Sequence, residues 1–219
     1  MVDILKMFLN RKRKIAIIGG GGHARVIIDA LYGMQQNPLF INNDIIGYFD
    51  DKVNSKYRKI DRIGAIEDIK NVDNDIFYIC GIGDLEIRKK IINTLDKVKW
   101  INVIHSSAII SKTVTLGQGI FINANAVINS QSIIKDHVII NTNSTIEHDV
   151  LIGENCHIAP GVTICGHVTI NENSFIGSGT TIINKNKEGF IIIGKNNFIN
   201  AGSLILHSTK DNSKIRYGN

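Results

Sequence analysis

Between residues 105 and 206 an aliphatic side chain returns every sixth position. The series runs Ile110, Leu116, Ile122, Ile128, Ile134, Ile140, Ile146, Ile152, Ile158, Ile164, Ile170, Ile176 and Ile182 without a break. After an insertion it resumes at Ile193, Ile199 and Ile205. Two positions before each stands a small or β-branched residue, as at Ala126, Ser132, Val138, Ser144, Val150 and Cys156. A helix repeats its apolar face every 3.6 residues and a strand every two, so neither holds a strict period of six. Six is the period of the hexapeptide parallel β-helix. Three hexapeptides then close one triangular coil of about 18 residues, with the aliphatic residue pointing into the prism. Each such burial contributes about 2 kcal/mol before chain entropy is charged. Corners need unusual backbone angles, and Gly117, Asn123, Asn129, Asn141, Gly153 and Gly177 are the expected corner residues.

Residues 1–104 obey a different rule. Lys14–Ile18 is a short apolar strand, followed by Gly19-Gly20-Gly21-Gly22. His23–Tyr32 has helical spacing, with Val26, Ile27, Ala30 and Leu31 on one face. Further strands are expected at Ile45–Phe49, Ile76–Ile82 and Trp100–Ile104. Asp84–Val98 reads as an amphipathic helix with Ile87, Ile91, Ile92 and Leu95 on its stripe. This alternation predicts a small parallel sheet covered by helices. The expected organisation is an α/β, Rossmann-like βαβαβ unit over 1–104, with a short extension at 1–13, and an all-β parallel β-helix over 105–219.

Charge and cysteine content narrow the function. The formal charge of +5 suits a protein that handles anionic small molecules. No basic stripe interleaved with aromatics points to nucleic acid. Three cysteines, Cys80, Cys156 and Cys165, form no C-x-x-C pair, so neither a disulfide framework nor a structural zinc site is expected. Reduced thiols and a cytoplasmic location are the simple reading. No apolar run reaches membrane-spanning length, so no stable membrane insertion is expected. Residues 2–9 are short and apolar, and the basic cluster Arg11-Lys12-Arg13-Lys14 follows them, the wrong order for a signal peptide. We expect them to form a short helix packed on the body; a membrane-surface foot is the alternative.

Two groups of residues carry candidate chemistry. Gly19-x-Gly21-x-x-Ala24 follows a strand and opens a helix, as in the alanine variant of the dinucleotide fingerprint. N–H groups at such a helix start suit a phosphate, and Asp50 and Asp51, ending the second strand, are placed to bind a ribose or base edge. Within the repeats, His148 is flanked by Glu147 and Asp149, either able to orient an imidazole. Its pKa class suits general base catalysis at neutral pH. Gly166 lies 18 residues later, one coil above, where a backbone N–H is able to hold an oxyanion. Asn141 and His157 are 16 residues apart and are expected to share a corner. His148 lies about half a coil from His157, so a site using all three is built most easily between neighbouring prisms, as in a homotrimer. Residues 184–190 interrupt the repeat and must loop out.

The hexapeptide period resembles that of the hexapeptide acyltransferases. With Gly19–Val26, Asp50-Asp51, Gly81–Lys90 and Asn141–Gly153, the chain resembles the nucleotide-sugar N-acetyltransferases of the bacillosamine, perosamine and viosamine type, with sialic-acid O-acetyltransferases as relatives. The resemblance implies a left-handed coil and transfer of acetyl from acetyl-CoA, without a metal, to the 4-amino group of a nucleotide-linked 4-amino-4,6-dideoxy sugar. It implies His148 as general base, Asp149 as its orienting acid and Gly166 N–H as oxyanion donor. It places Gly21, Gly22, His23, Asp50 and Asp51 on the nucleotide and Asn141 and His157 on the sugar. Lys185 and Lys187, with Gly166, become candidates for contact with CoA. Relatives continue into a tail beyond a Tyr-Gly-Asn-like end, which is where this sequence stops, at Asn219.

Three rivals remain open at this point. O-acetylation of a sialic acid would use the same base. A metal hydrolyase of the β-helix carbonic anhydrase type needs converging histidines, two of them five apart; successive histidines here are 11, 9 and 10 apart from His137 to His167. A non-catalytic scaffold would leave the histidine and its acid without use.

Overall fold

The computed structural model describes residues 13–34, 43–72, 75–95 and 97–216. The expected helix at 2–9 and the chain end at 217–219 lie outside the described residues. In the N-terminal part, β1 (Arg13–Ile18), β2 (Asn43–Phe49), β3 (Arg62–Gly64), β4 (Ile76–Cys80) and β5 (Lys99–Trp100) form one sheet in the order β3-β2-β1-β4-β5. All its pairings are parallel. Helices α1 (Gly22–Met34) and α2 (Leu85–Thr94) follow β1 and β4. The strand order reverses between β1 and β4, and such a reversal creates the crevice beyond the strands' carboxyl ends where open α/β sheets bind ligands. The loops Gly19–Gly21 and Gly81–Asp84 border it.

Several expectations change in detail. The buried face of α1 is Ala24, Ile27, Ile28, Ala30 and Leu31, while Val26 faces outward. On α2 the inward position is Arg88 and Ile87 is exposed, because the stripe 88, 91, 92, 95 satisfies helical spacing with a cation at its head. The α2 helix is shorter than the expected Asp84–Val98: Asp84 caps it by accepting from Ile87 N–H at 2.9 Å, and Leu95 ends it. The expected strand Trp100–Ile104 divides, since Lys99–Trp100 pairs with β4 whereas Val103–Ile104 pairs with Phe121–Ile122. The short β3 and the 3-10 helix Ile66–Asn71 carried no readable period.

The repeats form a three-sided parallel β-helix. Face I holds the strands starting at Val103, Phe121, Ile139, His157, Phe175, Phe198 and Lys214; face II those at Ile109, Val127, Thr145, Thr163, Thr181 and Leu204; face III those at Thr115, Ile133, Leu151, Thr169 and Ile192. Each strand is two residues long, and its second residue enters the prism; from Ile122 to Ile205 this aliphatic column is buried. Registers advance one coil at a time, as in Thr145↔Thr163, and the insertion lengthens a single coil, as in Thr169↔Ile192. Ser132, Ser144, Ser174 and Thr180 are buried in the small positions, and each hydroxyl donates to a main-chain carbonyl at 2.7–3.1 Å.

The left-handed backbone falls two residues after the expected corners. Gly119, Asn125, Gln131, His137, Asn143, Asp149, Asn155, Gly161, His167, Asn173 and Gly179 all have positive φ, one every hexapeptide. Gly117, Asn123, Asn129, Asn141, Gly153 and Gly177 do not. Gly153 is needed for close approach instead: a Cβ there would stand 2.5 Å from Glu172 N on the next coil. Asn123 and Asn141 stack, Nδ2 of the first donating to Oδ1 of the second at 3.0 Å.

Face I docks the prism on the N-terminal part. Val103, Phe121 and Ile139 enter one core with Ile27, Ala30 and Leu31 of α1. Arg88, 1% exposed, crosses the junction: Nε donates to Asn155 Oδ1 at 2.7 Å, and the terminal nitrogens donate to the carbonyls of Asn155 at 3.0 Å, Ile82 at 3.1 Å and Gly83 at 3.2 Å. Burial lowers its pKa to about 10, so it is still a cation at neutral pH.

Candidate active site

His148 stands on the corner between faces II and III, after the strand Thr145–Ile146. The next residue, Asp149, has φ 58°, a turn that brings its carboxylate back toward the imidazole. Its Oδ2 accepts from His148 Nδ1 at 2.8 Å. A carboxylate only accepts, so Nδ1 carries the proton and Nε2 keeps its lone pair. Glu147, the other flanking acid, accepts from Asn129 at 3.1 Å. Gly166 sits one coil on at the same corner, and a Cβ there would lie 2.7 Å from His148 Cε1 and 2.9 Å from Nε2. Only a glycine lets the ring rest against the backbone here. Cys165 N and His167 N both donate to neighbouring coils, while Gly166 N has no backbone partner among the described residues.

His167 and Phe190 complete this corner, and the sequence reading missed both. The rings of His148 and His167 meet edge to face at 5.2 Å. Phe190 lies on His167 with ring centres 4.7 Å apart. The insertion forms a small hairpin, Lys185–Asn186 against Gly189–Phe190, which leaves the prism on this same corner one coil above Gly166 and His167. Lys185 and Lys187 are exposed on it. The missed signal is a separation of one coil plus one residue between His148 and His167; comparing successive histidines passes over it.

A second group lies where the crevice of the sheet meets face I. Gly21 and Gly22 open α1 with free space around them. Asp50 Oδ2 accepts from Gly20 N at 2.8 Å, and Oδ1 from Lys52 N at 2.7 Å and Val53 N at 2.6 Å. Partial burial opposes its ionisation, but these N–H groups and Arg62 hold its pKa below the usual carboxylate value. Asp51 Oδ1 accepts from Ile66 N at 2.9 Å. His23 faces His157 at 6.1 Å between ring centres. His157 Nδ1 donates to the Gly83 carbonyl at 3.1 Å, which leaves Nε2 as the acceptor; that atom and His23 Nε2 are buried and have no hydrogen-bond partner among the described residues. Asn141 does not share the corner of His157: it aligns with Ala159, and His157 with Ile139, because the 16-residue spacing falls two short of a coil. Arg88 was likewise missed; its signal was the place it takes at the head of the apolar stripe of α2. A cavity of about 770 Å³ beside Ile69, Tyr78 and Leu95 is lined by none of these residues.

Burial, reinforced by the positive charge of Arg88, lowers the pKa of His157 to about 4. Burial acts first on His23 and His137 too, which also fall to about 4. All three lie below the unfolded value of about 6.5. The folded state therefore binds fewer protons than the unfolded chain, and stability present above about pH 6.5 is lost as pH falls toward 4. Each histidine is expected to cost on the order of 2 kcal/mol at pH 5. The urea midpoint should fall clearly between pH 7 and pH 5, and His137→Asn, which keeps the left-handed corner, should flatten part of that slope. Equal midpoints at the two pH values would refute the assignment.

Residues 14–95 match the PglD N-terminal domain, and residues 131–166 and 149–184 match the bacterial transferase hexapeptide (six repeats). An uncharacterized protein of Acanthamoeba polyphaga mimivirus is 37% identical over 51% of this chain and 21% of its own length. The UDP-N-acetylbacillosamine N-acetyltransferase of Bacillus subtilis is 30% identical over 51% of this chain and 52% of its own. The chain thus spans about half or less of these relatives. Among solved structures, the acetyltransferase domain of PglB from Neisseria gonorrhoeae in complex with acetyl coenzyme A superposes with a TM-score of 0.83 at 27% identity, over 93% of this chain and 95% of that one. PerB from Caulobacter crescentus, in complex with CoA and GDP-perosamine, gives 0.77 at 28% identity, over 90% and 91%.

Proposed function

As a chain that joins a PglD N-terminal domain to bacterial transferase hexapeptide repeats, and so carries the domain pair of the nucleotide-sugar N-acetyltransferases, this protein is, we propose, an acetyl-CoA-dependent N-acetyltransferase of a nucleotide-linked 4-amino-4,6-dideoxy sugar. The observation that carries the reading is the corner of His148, Asp149 and Gly166: an oriented imidazole packed on a glycine whose N–H has no backbone partner among the described residues.

The sugar amine attacks the thioester carbonyl, and His148 Nε2 takes the proton the nitrogen loses. Asp149 steadies the imidazolium that results. The Gly166 N–H donates to the oxygen as charge develops on it. Collapse breaks the carbon–sulfur bond, and the CoA thiolate leaves and recovers the proton. Acetyl-CoA supplies only the activated acyl group, so the step asks for no metal. The relatives in complex with acetyl coenzyme A, CoA and GDP-perosamine support these ligands.

The nucleotide is assigned to the crevice, with Gly21 and Gly22 N–H groups on phosphate and His23 beside them. Asp50 serves by fixing the glycine loop, and Asp51 borders the same edge. His157, with its Nε2 set as an acceptor, and Asn141 are assigned to the sugar. Lys185 and Lys187 are assigned to CoA phosphates. Because the His148 corner and the His157 group occupy different parts of one prism, the full site is assigned to the seam between prisms of a homotrimer. No helix among the described residues is long and apolar enough to cross a membrane.

The test offers acetyl-CoA with UDP-, dTDP- and GDP-linked 4-amino-4,6-dideoxy sugars and follows free thiol and product mass. One sugar should gain one acetyl group. No turnover with any amino sugar would sink the N-acetyl reading and move the search to sialic acids and other hydroxyl acceptors.

A further inference from the structure

The corner that holds His148 carries a second imidazole that acetyl transfer leaves without a task. Asp149 Oδ2 lies 2.8 Å from His148 Nδ1 and 4.0 Å from His167 Nε2. One donor atom from each of the three side chains lies within 4.8 Å of the other two. Ligand atoms about 2.0–2.1 Å from a tetrahedral dication stand roughly 3.4 Å from each other. The two measured separations straddle that value, so rotations of well under a residue's reach bring all three into range. Two imidazoles and one carboxylate, with a fourth position open, form a donor set suited to zinc-like ions; calcium and magnesium ask for more oxygens. The side chains are 51%, 44% and 43% exposed, so an ion reaches them directly from solvent.

His167 is held in place for such a role. Its backbone is left-handed at φ 62°, its N–H donates to the His148 carbonyl at 3.1 Å, and Phe190 covers its ring. The hairpin and the coil thus fix the second ligand with respect to the first.

We propose that His148, Asp149 and His167 form a reversible inhibitory site for a zinc-like transition-metal dication. The proposal rests on His148 being the base. In the metal-free protein Nδ1 carries the proton and Nε2 the lone pair. A dication takes the Nδ1 lone pair, and a neutral imidazole bound there must carry its single proton on Nε2. The proton moves between the two nitrogens through solvent, with no net release. The atom that should accept the amine proton is then filled, and Asp149 turns from hydrogen-bond acceptor into ligand.

The test titrates metal-free protein with Zn2+ by calorimetry and with Co2+ by visible absorption. Turnover is followed in parallel by product mass, because thiols bind these ions. We expect one Co2+ per chain with a tetrahedral spectrum, and turnover that falls with Zn2+ occupancy and returns with chelator. His167→Asn keeps a left-handed corner and should retain most metal-free turnover while needing at least about tenfold more Zn2+ for half-inhibition. Cys165→Ser should change neither. Absence of stoichiometric binding in active protein, binding that follows Cys165 rather than His167, or full occupancy with undiminished turnover would each overturn the proposal. Retained turnover in His148→Ala would instead sink the base assignment, and the cobalt titration still reads the site by itself.

Discussion

Replacing His148 with alanine is expected to slow the proposed acetyl transfer by about 10²–10⁴-fold, the usual worth of a positioned general base. KM for both substrates should change little, since in the proposed role the imidazole acts on a proton and not on either ligand's bulk. The fold should survive, because the side chain is half exposed and its one side-chain hydrogen bond among the described residues is to the neighbouring Asp149. Gly166→Ala attacks the same atom from the other side: its Cβ would stand 2.7 Å from the imidazole and push it off Asp149. A comparable loss in both variants would tie the rate to the position of that ring. Steady-state kinetics at saturating acetyl-CoA decide the matter, and a His148→Ala enzyme with undiminished kcat would mean that the base lies elsewhere.

Arg88→Met is expected to cost about 2–4 kcal/mol of stability, through the buried acceptors it leaves unpaired. The guanidinium serves Asn155 Oδ1 and the carbonyls of Asn155, Ile82 and Gly83, and methionine fills the volume but donates to none of them. The two acceptors of Asn155 are buried and have no water to turn to, whereas the carbonyls of Ile82 and Gly83 belong to half-buried residues. Arg88→Lys should fall between, because three ammonium donors cannot reproduce a planar fork of five. Urea unfolding at pH 7 reads the difference, with intact secondary structure by circular dichroism as control. A midpoint unchanged by Arg88→Met would show that the junction is held by Val103, Phe121 and Ile139 alone.

Much of the fold was legible because its rule is periodic. A column of isoleucines at every sixth residue admits one architecture, and the break after Ile182 marks the longer coil. The His148–Gly166 contact follows from the same arithmetic, because a separation of one coil is a contact in any such prism. Where period gave out, so did the reading. Aliphatic spacing did not separate Ile87 from Arg88 as the inward residue, since both lie within one turn of Ile91 and Ile92. The corner residues were placed two positions early, because asparagine and glycine recur both at the left-handed position and at the crowded one beside the next coil.

The sequence by itself determined the two-part organisation, the prism and its registers, and the candidate base with the glycine above it. These are consequences of local spacing, and a repeat converts spacing directly into neighbourhood. Only the tertiary structure decided that His167 and Phe190 close the same corner, and that His23 and His157 face each other beside a buried Arg88. Those relations join segments far apart in the chain through side-chain direction and desolvation. Neither has a period, so both appear only when the coil and the sheet are packed together.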